Sequence, residues 1–214
     1  VFVNDAFGTS HRAHASIEAI AHLLPSAAGR GMAAELMALG QVLDTPERPL
    51  AAVIGGAKVS SKLALLSTLV EQVQVLAVGG AMANTFLLAK GIGIGSSLCE
   101  PDLMDIAGGI LATAGVAGCE IVLPEDVVVA AELVPGTATQ TVGVTAIPDG
   151  MMVLDVGPKS ADALARRLAD CRTLVWNGPL GAFETEPFDR GTCSVARAAA
   201  KLTRGGKMIS VAGG

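Results

Sequence analysis

The sequence lacks any uninterrupted apolar run long enough to cross a membrane, although apolar residues occupy 51% of its 214 positions and its mean hydropathy is +0.55. The most apolar stretches, 73–83 and 106–123, are interrupted by Gln74, by Glu120 and by several glycines. A spanning helix needs about 18 or more consecutive apolar residues. The surplus of Ala, Val, Leu and Gly is instead typical of an α/β domain whose parallel strands are buried on both faces.

Signatures of nucleic-acid and zinc binding are absent as well. The net charge is −5 and no stripe of basic residues offers a surface to a polyanion. The cysteines Cys99, Cys119, Cys171 and Cys193 form no C-x-x-C pair and no Cys/His pairing at zinc spacing. We therefore predict buried, reduced thiols in a cytoplasmic chain that binds neither nucleic acid nor a membrane.

Neither end of the sequence reads as a natural terminus. The chain opens on the strand-like residues V-F-V without a charged leader, and it stops at Gly213-Gly214 directly after another strand-like run. We expect both ends to be cuts in a longer protein.

Short β-rich apolar runs recur along the chain, and each leads into a turn that contains Gly or Pro. These runs are 50–54, 73–78, 120–123, 152–156, 173–176 and 207–211. Helical stretches separate them, which predicts βαβ units and a mainly parallel sheet. Because parallel strands align their carboxyl ends at one edge, we expect a ligand site there, lined by glycine backbone.

The spacing of apolar residues predicts two of the helices. Residues 160–168 predict a helix with Ser160 as its N-cap. Residues 33–43 predict another, which we interpret as a connection between two lobes. A helix packed wholly within one domain fits the latter pattern equally well.

The run Gly55-Gly56-Ala57-Lys58-Val59-Ser60-Ser61-Lys62, directly after a predicted strand, carries the sharpest chemical pattern. Its glycines allow a tight turn into a helix N-terminus, whose free N–H groups attract anions. Lys58 and Lys62 are four residues apart and share a face once helical, which would make a grip for phosphate. Two solvated surface lysines are the alternative.

Neither common phosphate-binding fingerprint is present. No G-x-x-x-x-G-K-[ST] occurs. The Gly91-Ile92-Gly93-Ile94-Gly95 run follows a predicted helix, 82–90, whereas a dinucleotide fingerprint would follow a strand. We interpret it as a loop.

Two further polar patches contain candidate ligand-binding residues. Trp176-Asn177-Gly178-Pro179 ends a predicted strand, and Glu184 in the following loop could accept hydrogen bonds from ribose hydroxyls or remain a solvated carboxylate. Arg12, in a polar turn near the N-terminus, suits bidentate recognition of phosphate or carboxylate better than a lysine would.

Taken together, these patches resemble phosphoglycerate kinase. The matching stretches are V-N-D-A-F-G-T-S-H-R-A-H-A-S, E-R-P-L-A-A-V-I-G-G-A-K-V-S-S-K, V-G-G-A-M-A-N-T-F-L-L-A-K-G, I-V-L-P-E-D, D-V-G-P, W-N-G-P-L-G-A-F-E and S-V-A-G-G. They are spread over essentially the whole chain, and the combination is specific to this family.

The resemblance implies two Rossmann-like lobes joined by a helix, with Mg²⁺-dependent phosphoryl transfer between ATP and 3-phosphoglycerate in glycolysis. It implies that Lys58 is the catalytic lysine at the transferring phosphate and that Lys62 holds the α-phosphate. Glu184 would take the ribose, and Arg12 would reach phosphoglycerate. The nucleotide pocket would further be lined by Gly56, Ala57, Gly79, Gly80, Asn177, Gly178, Pro179 and Gly214.

The resemblance also sets the expected domain organisation. Residues 1–27 would end the phosphoglycerate-binding lobe, 28–46 would form the interdomain helix, and 47–214 would be a truncated nucleotide-binding lobe with helices on both faces of a parallel sheet. Ser61 replaces an Asp that the family usually has. The family's Mg²⁺-binding aspartate and most of its N-terminal lobe would lie outside this chain.

Three functional hypotheses follow. The first is a phosphoglycerate kinase stretch that binds nucleotide and is inactive alone, with segment 1–24 lacking a sheet of its own and exposing apolar surface. The family is usually monomeric, but that surface would favour self-association. The second is a Rossmann-like module that binds a nucleotide or NAD without transfer. The third, a purely structural role, rests only on the missing parts.

Overall fold

The computed structural model describes residues 1–213, apart from the side chain of Leu43. The chain divides into two compact units, Val1–Pro46 and Glu47–Gly214. Each unit has strands and helices of its own, and each is described by itself below.

The α-helices begin and end at residues that differ by a few positions from the sequence expectations. In chain order they are α1 (Ile20–Leu23), α2 (Arg30–Leu43), α3 (Leu63–Gln72), α4 (Gly80–Ala89), α5 (Met104–Ala117), α6 (Pro158–Ala169) and α7 (Arg190–Arg204). None of these helices in the described part of the chain has both the length and the apolarity to span a bilayer. Residues 91–100 are neither helix nor strand, as predicted for the glycine-rich run that follows α4.

The strands fall into three sheets. In chain order they are β1 (Phe2–Asn4), β2 (Ser26–Ala28), β3 (Leu50–Ile54), β4 (Val75–Val78), β5 (Glu120–Val122), β6 (Asp126–Ala130), β7 (Gln140–Gly143), β8 (Met152–Val156), β9 (Thr173–Asn177) and β10 (Ile209–Gly213).

The first unit contains a small parallel sheet and helix α2. Strand β1 pairs with β2 from Phe2↔Ser26 to Asn4↔Ala28, so the expectation that this segment lacks its own sheet is wrong. Val3 and Leu23 are exposed, in agreement with the expectation of apolar surface in segment 1–24. Arg12 lies in the turn after a 3₁₀ turn at Phe7–Thr9, and the residue is exposed.

The second unit is built on a five-stranded sheet in the order β10-β9-β3-β4-β5, in which every pairing is parallel. This confirms the predicted α/β fold with a parallel sheet. The chain runs outward from β3 through β4 to β5, then returns to build β9 and β10 on the other side of β3. The strand order therefore reverses between β3 and β9, the position at which open α/β sheets bind ligands.

Helices cover both faces of this sheet because alternate strand residues point to opposite sides. Ala52 and Ile54 of β3 belong to the core beneath α3, α4 and α5. Their neighbours Ala51 and Val53 belong to the core beneath α6 and α7. Ala51, Ala52, Val53 and Ile54 have no exposed surface, so β3 is the buried central strand that the sequence predicted.

One strand that was predicted for the parallel sheet belongs to a different sheet. Strand β8, the predicted run 152–156, pairs antiparallel with β6 in a three-stranded sheet ordered β7-β6-β8. The prediction was wrong because an apolar run identifies a strand without identifying its partner. Strands β6 and β7 were not predicted at all.

The N-termini of three helices are capped by aspartates that are distant in sequence. Helix α6 begins at Pro158, with Gly157 at the N-cap position, so the prediction of Ser160 as N-cap is wrong. Buried Asp126 accepts hydrogen bonds from the backbone N–H groups of Lys159 (3.1 Å) and Ser160 (2.7 Å) and from the Ser160 hydroxyl (2.6 Å). The carboxylate thus satisfies N–H groups that the first turn of a helix leaves without partners.

The same arrangement recurs at α2 and α7. Asp5 accepts the N–H of Met32 in the first turn of α2 (2.7 Å). Asp155 of β8 accepts the N–H groups of Gly191 in α7 (2.7 Å) and of Val156 (2.9 Å). These bonds fix where α2 and α7 begin.

Asp155 is almost wholly withdrawn from water, with 2% of its surface exposed. Desolvation by burial raises its pKa to about 7, and Asp189 pushes it the same way, while its hydrogen bonds to Gly191 and Val156 lower it. A carboxyl group in an unfolded chain has a pKa of about 3.9. Between these two pH values the unfolded chain has lost this proton and the folded chain retains it, so stability falls as the pH rises through this window.

We expect Asp155→Asn to flatten the pH dependence of stability. In the unsubstituted protein the Asp155 proton contributes a decline in the free energy of unfolding on the order of 2 kcal/mol between about pH 5 and pH 7. The variant has no ionisable group there, so its free energy of unfolding should change less across the same interval. Urea unfolding followed by circular dichroism at both pH values checks this, and an unchanged slope would contradict it.

Candidate functional site

Three turns meet at the carboxyl edge of the parallel sheet. The first turn (residues 55–59) follows β3, the second (79–80) joins β4 to α4, and the third (177–180) follows β9. We call them the glycine turns. They bring together most of the residues that the sequence predicted for the nucleotide pocket.

Backbone hydrogen bonds connect the three turns to one another. Gly55 N–H donates to the Asn177 carbonyl (2.8 Å), which joins the first turn to the third. Met82 N–H donates to the Gly56 carbonyl (3.0 Å), which joins the start of α4 to the first turn. Gly80 N–H donates to the Leu180 carbonyl (2.8 Å) and closes the set.

Two of these glycines satisfy both a steric and a conformational demand. Gly80 has φ = +64°, and a Cβ there would lie 2.6 Å from the Gly56 carbonyl oxygen. Gly178 has φ = +83°, and a Cβ there would lie 2.5 Å from the Gly55 carbonyl oxygen. Side chains are therefore excluded from the positions where the turns meet, and main-chain atoms line the edge of the sheet.

Lys62 spans the point where the strand order reverses. Its ammonium group donates to the Gly55 carbonyl (2.7 Å), at the end of β3, and to the Asn177 Oδ1, at the end of β9. The Asn177 carbonyl is a third acceptor at 3.4 Å. Hypothetical Cβ atoms on Gly56 and Gly178 would lie 3.6 Å and 3.1 Å from Nζ, so the missing side chains leave the ammonium group uncovered on those sides.

The environment of Lys62 suits an anionic ligand. Burial lowers its pKa, since a partly desolvated ammonium group loses hydration that favours the charged form. Two of its N–H groups have good protein acceptors, and the third has only the long contact to the Asn177 carbonyl. An ammonium group has three donors, so one remains largely available for a ligand oxygen.

Lys58 is placed differently from the prediction. The helical segment begins with a 3₁₀ turn at Ser60–Lys62 and continues as α3, so Lys58 lies in the preceding loop and shares no helix face with Lys62. The residue is exposed on the first turn. Its cationic side chain thus extends from the first turn, four residues before Lys62.

The helix N-terminus itself is already capped, which the sequence did not predict. Glu100 accepts the Ser60 N–H (3.0 Å) and the Ser60 hydroxyl (2.5 Å). These bonds lower the pKa of Glu100, and the charge of Lys58 lowers it further. The expectation that this N–H is free for an anion is therefore wrong, and the positive charges near it are those of Lys58 on the first turn and Lys62 in the following 3₁₀ turn.

Several predicted site residues border the glycine turns. Ala57 is exposed on the first turn and Pro179 is half-buried on the third. Glu184 is exposed in the loop that continues the third turn. That loop is anchored by Ala182 N–H, which donates to the Leu154 carbonyl (2.7 Å).

Two further predicted site residues do not belong to the described part of the second unit. Arg12 belongs to the first unit, and Gly214 lies outside the described residues. Within residues 1–213, no three His, Cys, Asp or Glu side chains lie together as a metal site would require. A cleft of about 300 Å³ near the first turns of α6 and α7 is lined by none of the predicted residues.

Sequence reasoning missed two residues that hold the site. Glu100 is 40 positions from Ser60, and Thr192 accepts a hydrogen bond from Leu180 N–H (2.9 Å) across 12 positions. Neither stands in a pattern that reveals its partner, because both contacts depend on the way in which loops and helices pack.

Comparison with known proteins matches this chain to a single family. Residues 1–214 match the family model described as "Phosphoglycerate kinase". The phosphoglycerate kinase of Rhizorhabdus wittichii is 58% identical over 214 residues, which cover 100% of this chain and 54% of that protein. That of Rhizobium meliloti is 56% identical with the same coverage. The chain therefore spans about half the length of the curated relatives it matches.

Solved structures agree with the sequence matches. The phosphoglycerate kinase from Coxiella burnetii superimposes with a TM-score of 0.91 at 41% identity, over 100% of this chain and 54% of that one. The enzyme from Pyrococcus horikoshii gives a TM-score of 0.80 at 30% identity, over 92% of this chain and 50% of that one.

We expect Gly55→Ala to disrupt the glycine turns. A Cβ on Gly55 would overlap the Pro179 carbonyl, a backbone atom that no rotamer change can move. The free energy of unfolding should fall by about 3 kcal/mol or more. Gly93→Ala is the matched control, because a Cβ there meets nothing within 4 Å. Urea unfolding of both variants measures the difference, and equal losses would refute the overlap as the cause.

Proposed function

The chain belongs to the phosphoglycerate kinase family, and we propose that its second unit binds the adenine nucleotide for phosphoryl transfer between ATP and 3-phosphoglycerate. The reaction makes ADP and 1,3-bisphosphoglycerate, or runs in reverse as a step of glycolysis. The observation that carries the proposal is the Lys62 ammonium group, positioned between β3 and β9 where the strand order reverses.

In this proposal the glycine turns hold the nucleotide. Gly56, Ala57, Gly79 and Gly80 line one side, and Asn177, Gly178 and Pro179 line the other. Because side chains are excluded where the turns meet, a planar base and its ribose can approach the main chain closely. Gly214 joins this set by resemblance alone.

Each charged residue of the proposed site has its own part of the substrates to bind. Lys62 uses its remaining N–H donor for the α-phosphate, and exposed Lys58 reaches the transferring phosphate. Glu184 accepts hydrogen bonds from the ribose hydroxyls, and Arg12 binds the carboxylate or phosphate of 3-phosphoglycerate. Phosphoryl transfer asks the protein mainly to position the reactants and to neutralise charge, which lysines can do.

Mg²⁺ would accompany the bound nucleotide, as the family resemblance implies. The described residues provide no cluster of three metal ligands of their own. We further propose a cytoplasmic location and ATP, ADP and 3-phosphoglycerate as the partners, without nucleic acid or membrane. The family is usually monomeric, and the exposed apolar surface of segment 1–24 would favour self-association of this chain.

We expect Lys62→Met to raise the dissociation constant for ADP by about tenfold or more, which corresponds to about 1.4 kcal/mol. Methionine keeps the apolar stem and removes the charge that would face the α-phosphate. Lys201→Ala, on the exposed surface of α7, is the control and should bind as the unsubstituted protein does. Titration calorimetry with ADP and with NAD measures both. Binding of NAD in place of ADP would favour the module without transfer.

Lys58→Met should separate the roles of the two lysines. If Lys58 reaches only the transferring phosphate, its loss weakens a non-hydrolysable ATP analogue by about fivefold or more and leaves ADP within about twofold. Lys62→Met should weaken both ligands alike. The ratio of the two dissociation constants, obtained from parallel titrations, is the measured quantity. If this ratio is the same in Lys58→Met as in the unsubstituted protein, Lys58 is a solvated surface lysine that does not contact the transferring phosphate.

A further inference from the structure

At Leu180, the third glycine turn is held by a buried hydroxyl that lies outside the site. Leu180 and Thr192 are both buried, at 3% and 9% exposure. Leu180 N–H donates to Thr192 Oγ1 at 2.9 Å. The Leu180 carbonyl accepts Gly80 N–H at 2.8 Å. One residue therefore links the first turn of α7 to the first turn of α4.

The hydroxyl gives Leu180 N–H its partner away from water. A buried N–H that loses its partner keeps the full cost of its desolvation, so the backbone around it moves to find another acceptor. Thr192 can serve because α7 is itself fixed in place: the neighbouring Gly191 N–H is held by Asp155 at 2.7 Å. The carboxylate positions the helix, and the helix positions the hydroxyl.

A displacement of Leu180 would also shift the first and second glycine turns. Its side chain lies against Gly79, where a Cβ would overlap the Leu180 Cδ2. Its carbonyl accepts the Gly80 N–H, and two residues further along α4 the Met82 N–H donates to the Gly56 carbonyl at 3.0 Å. The path from Thr192 thus reaches the second turn through Leu180 and the first turn through α4.

From this geometry we infer that Thr192 is a positioning residue for nucleotide binding, acting through Leu180 on the glycine turns. It touches no ligand itself. The inference rests on the proposed nucleotide site and extends it to a residue of the first turn of α7. It predicts that the hydroxyl matters for affinity in the folded protein, beyond any contribution to stability.

Thr192→Val tests the inference, because it keeps the shape of the side chain and removes the acceptor. We expect the dissociation constant for ADP to rise about tenfold, measured by calorimetry at a temperature where every variant is fully folded. Thr192→Ser restores the acceptor and should bring the value within about twofold of the unsubstituted protein. Amide hydrogen exchange at Leu180 should be faster in Thr192→Val.

Thr173→Val is the matched control. Thr173 is also buried, at 1% exposure, and its hydroxyl donates to the Glu47 carbonyl at 2.7 Å at the opposite, amino end of the sheet. This variant should lose stability and keep its affinity for ADP. If Thr192→Val binds ADP as tightly as the unsubstituted protein, or if both variants weaken binding equally, the inference is overturned while the nucleotide site stands. If the unsubstituted protein binds no ADP, the proposed function fails and the inference falls with it.

Discussion

The cross-bonding of the three glycine turns is the constraint on which the rest of the site depends. Gly55 to Asn177, Met82 to Gly56 and Gly80 to Leu180 form a closed set of backbone hydrogen bonds. Such a set leaves little freedom for one turn to move alone. It also requires close backbone approach, and positions 55, 80 and 178 meet that requirement with glycine. The shape of the ligand edge is therefore set by main-chain geometry before any functional side chain is considered.

Lys62 brings a partly buried positive charge into this frame. The protein carries a net charge of −5, so its average field opposes an anionic ligand. Charges separated by more than about 8–10 Å are largely screened at physiological ionic strength, whereas a partly buried charge is screened much less. Lys62 therefore outweighs the distant acids at the position it occupies. Its two protein acceptors, on β3 and β9, hold it there at the reversal of strand order.

The sequence predicted what depends on neighbours along the chain. The buried strand Leu50–Ile54, the glycine turn after it and the loop after α4 follow local patterns of apolar spacing and glycine, and the structure has them. It failed where a partner is remote. The pairing of Met152–Val156 with Asp126–Ala130, the cap that Glu100 places on Ser60 and the role of Ser160 all depend on contacts across 22 or more positions, which periodicity cannot encode.

The remote aspartates share a feature that explains why they escaped detection. Helices α2 and α6 have glycine at the N-cap, where Ser, Thr, Asp or Asn would have indicated a local cap. Helix α7 has Asp189 at the N-cap, but the side chain of Asp189 makes no capping hydrogen bond, and Gly191 is the second residue of the helix. A Cβ on Gly29 or Gly157 would overlap the carboxylate of Asp5 or Asp126. A Cβ on Gly191 would lie 2.7 Å from Asp155 Oδ1. The glycine is thus the space that a distant carboxylate needs to reach the helix N–H groups. A helix start with glycine and no capping side chain, in a sequence that also offers Asp at a strand end, predicts a cap from another element, and at α7 that cap also fixes Thr192 against the third glycine turn.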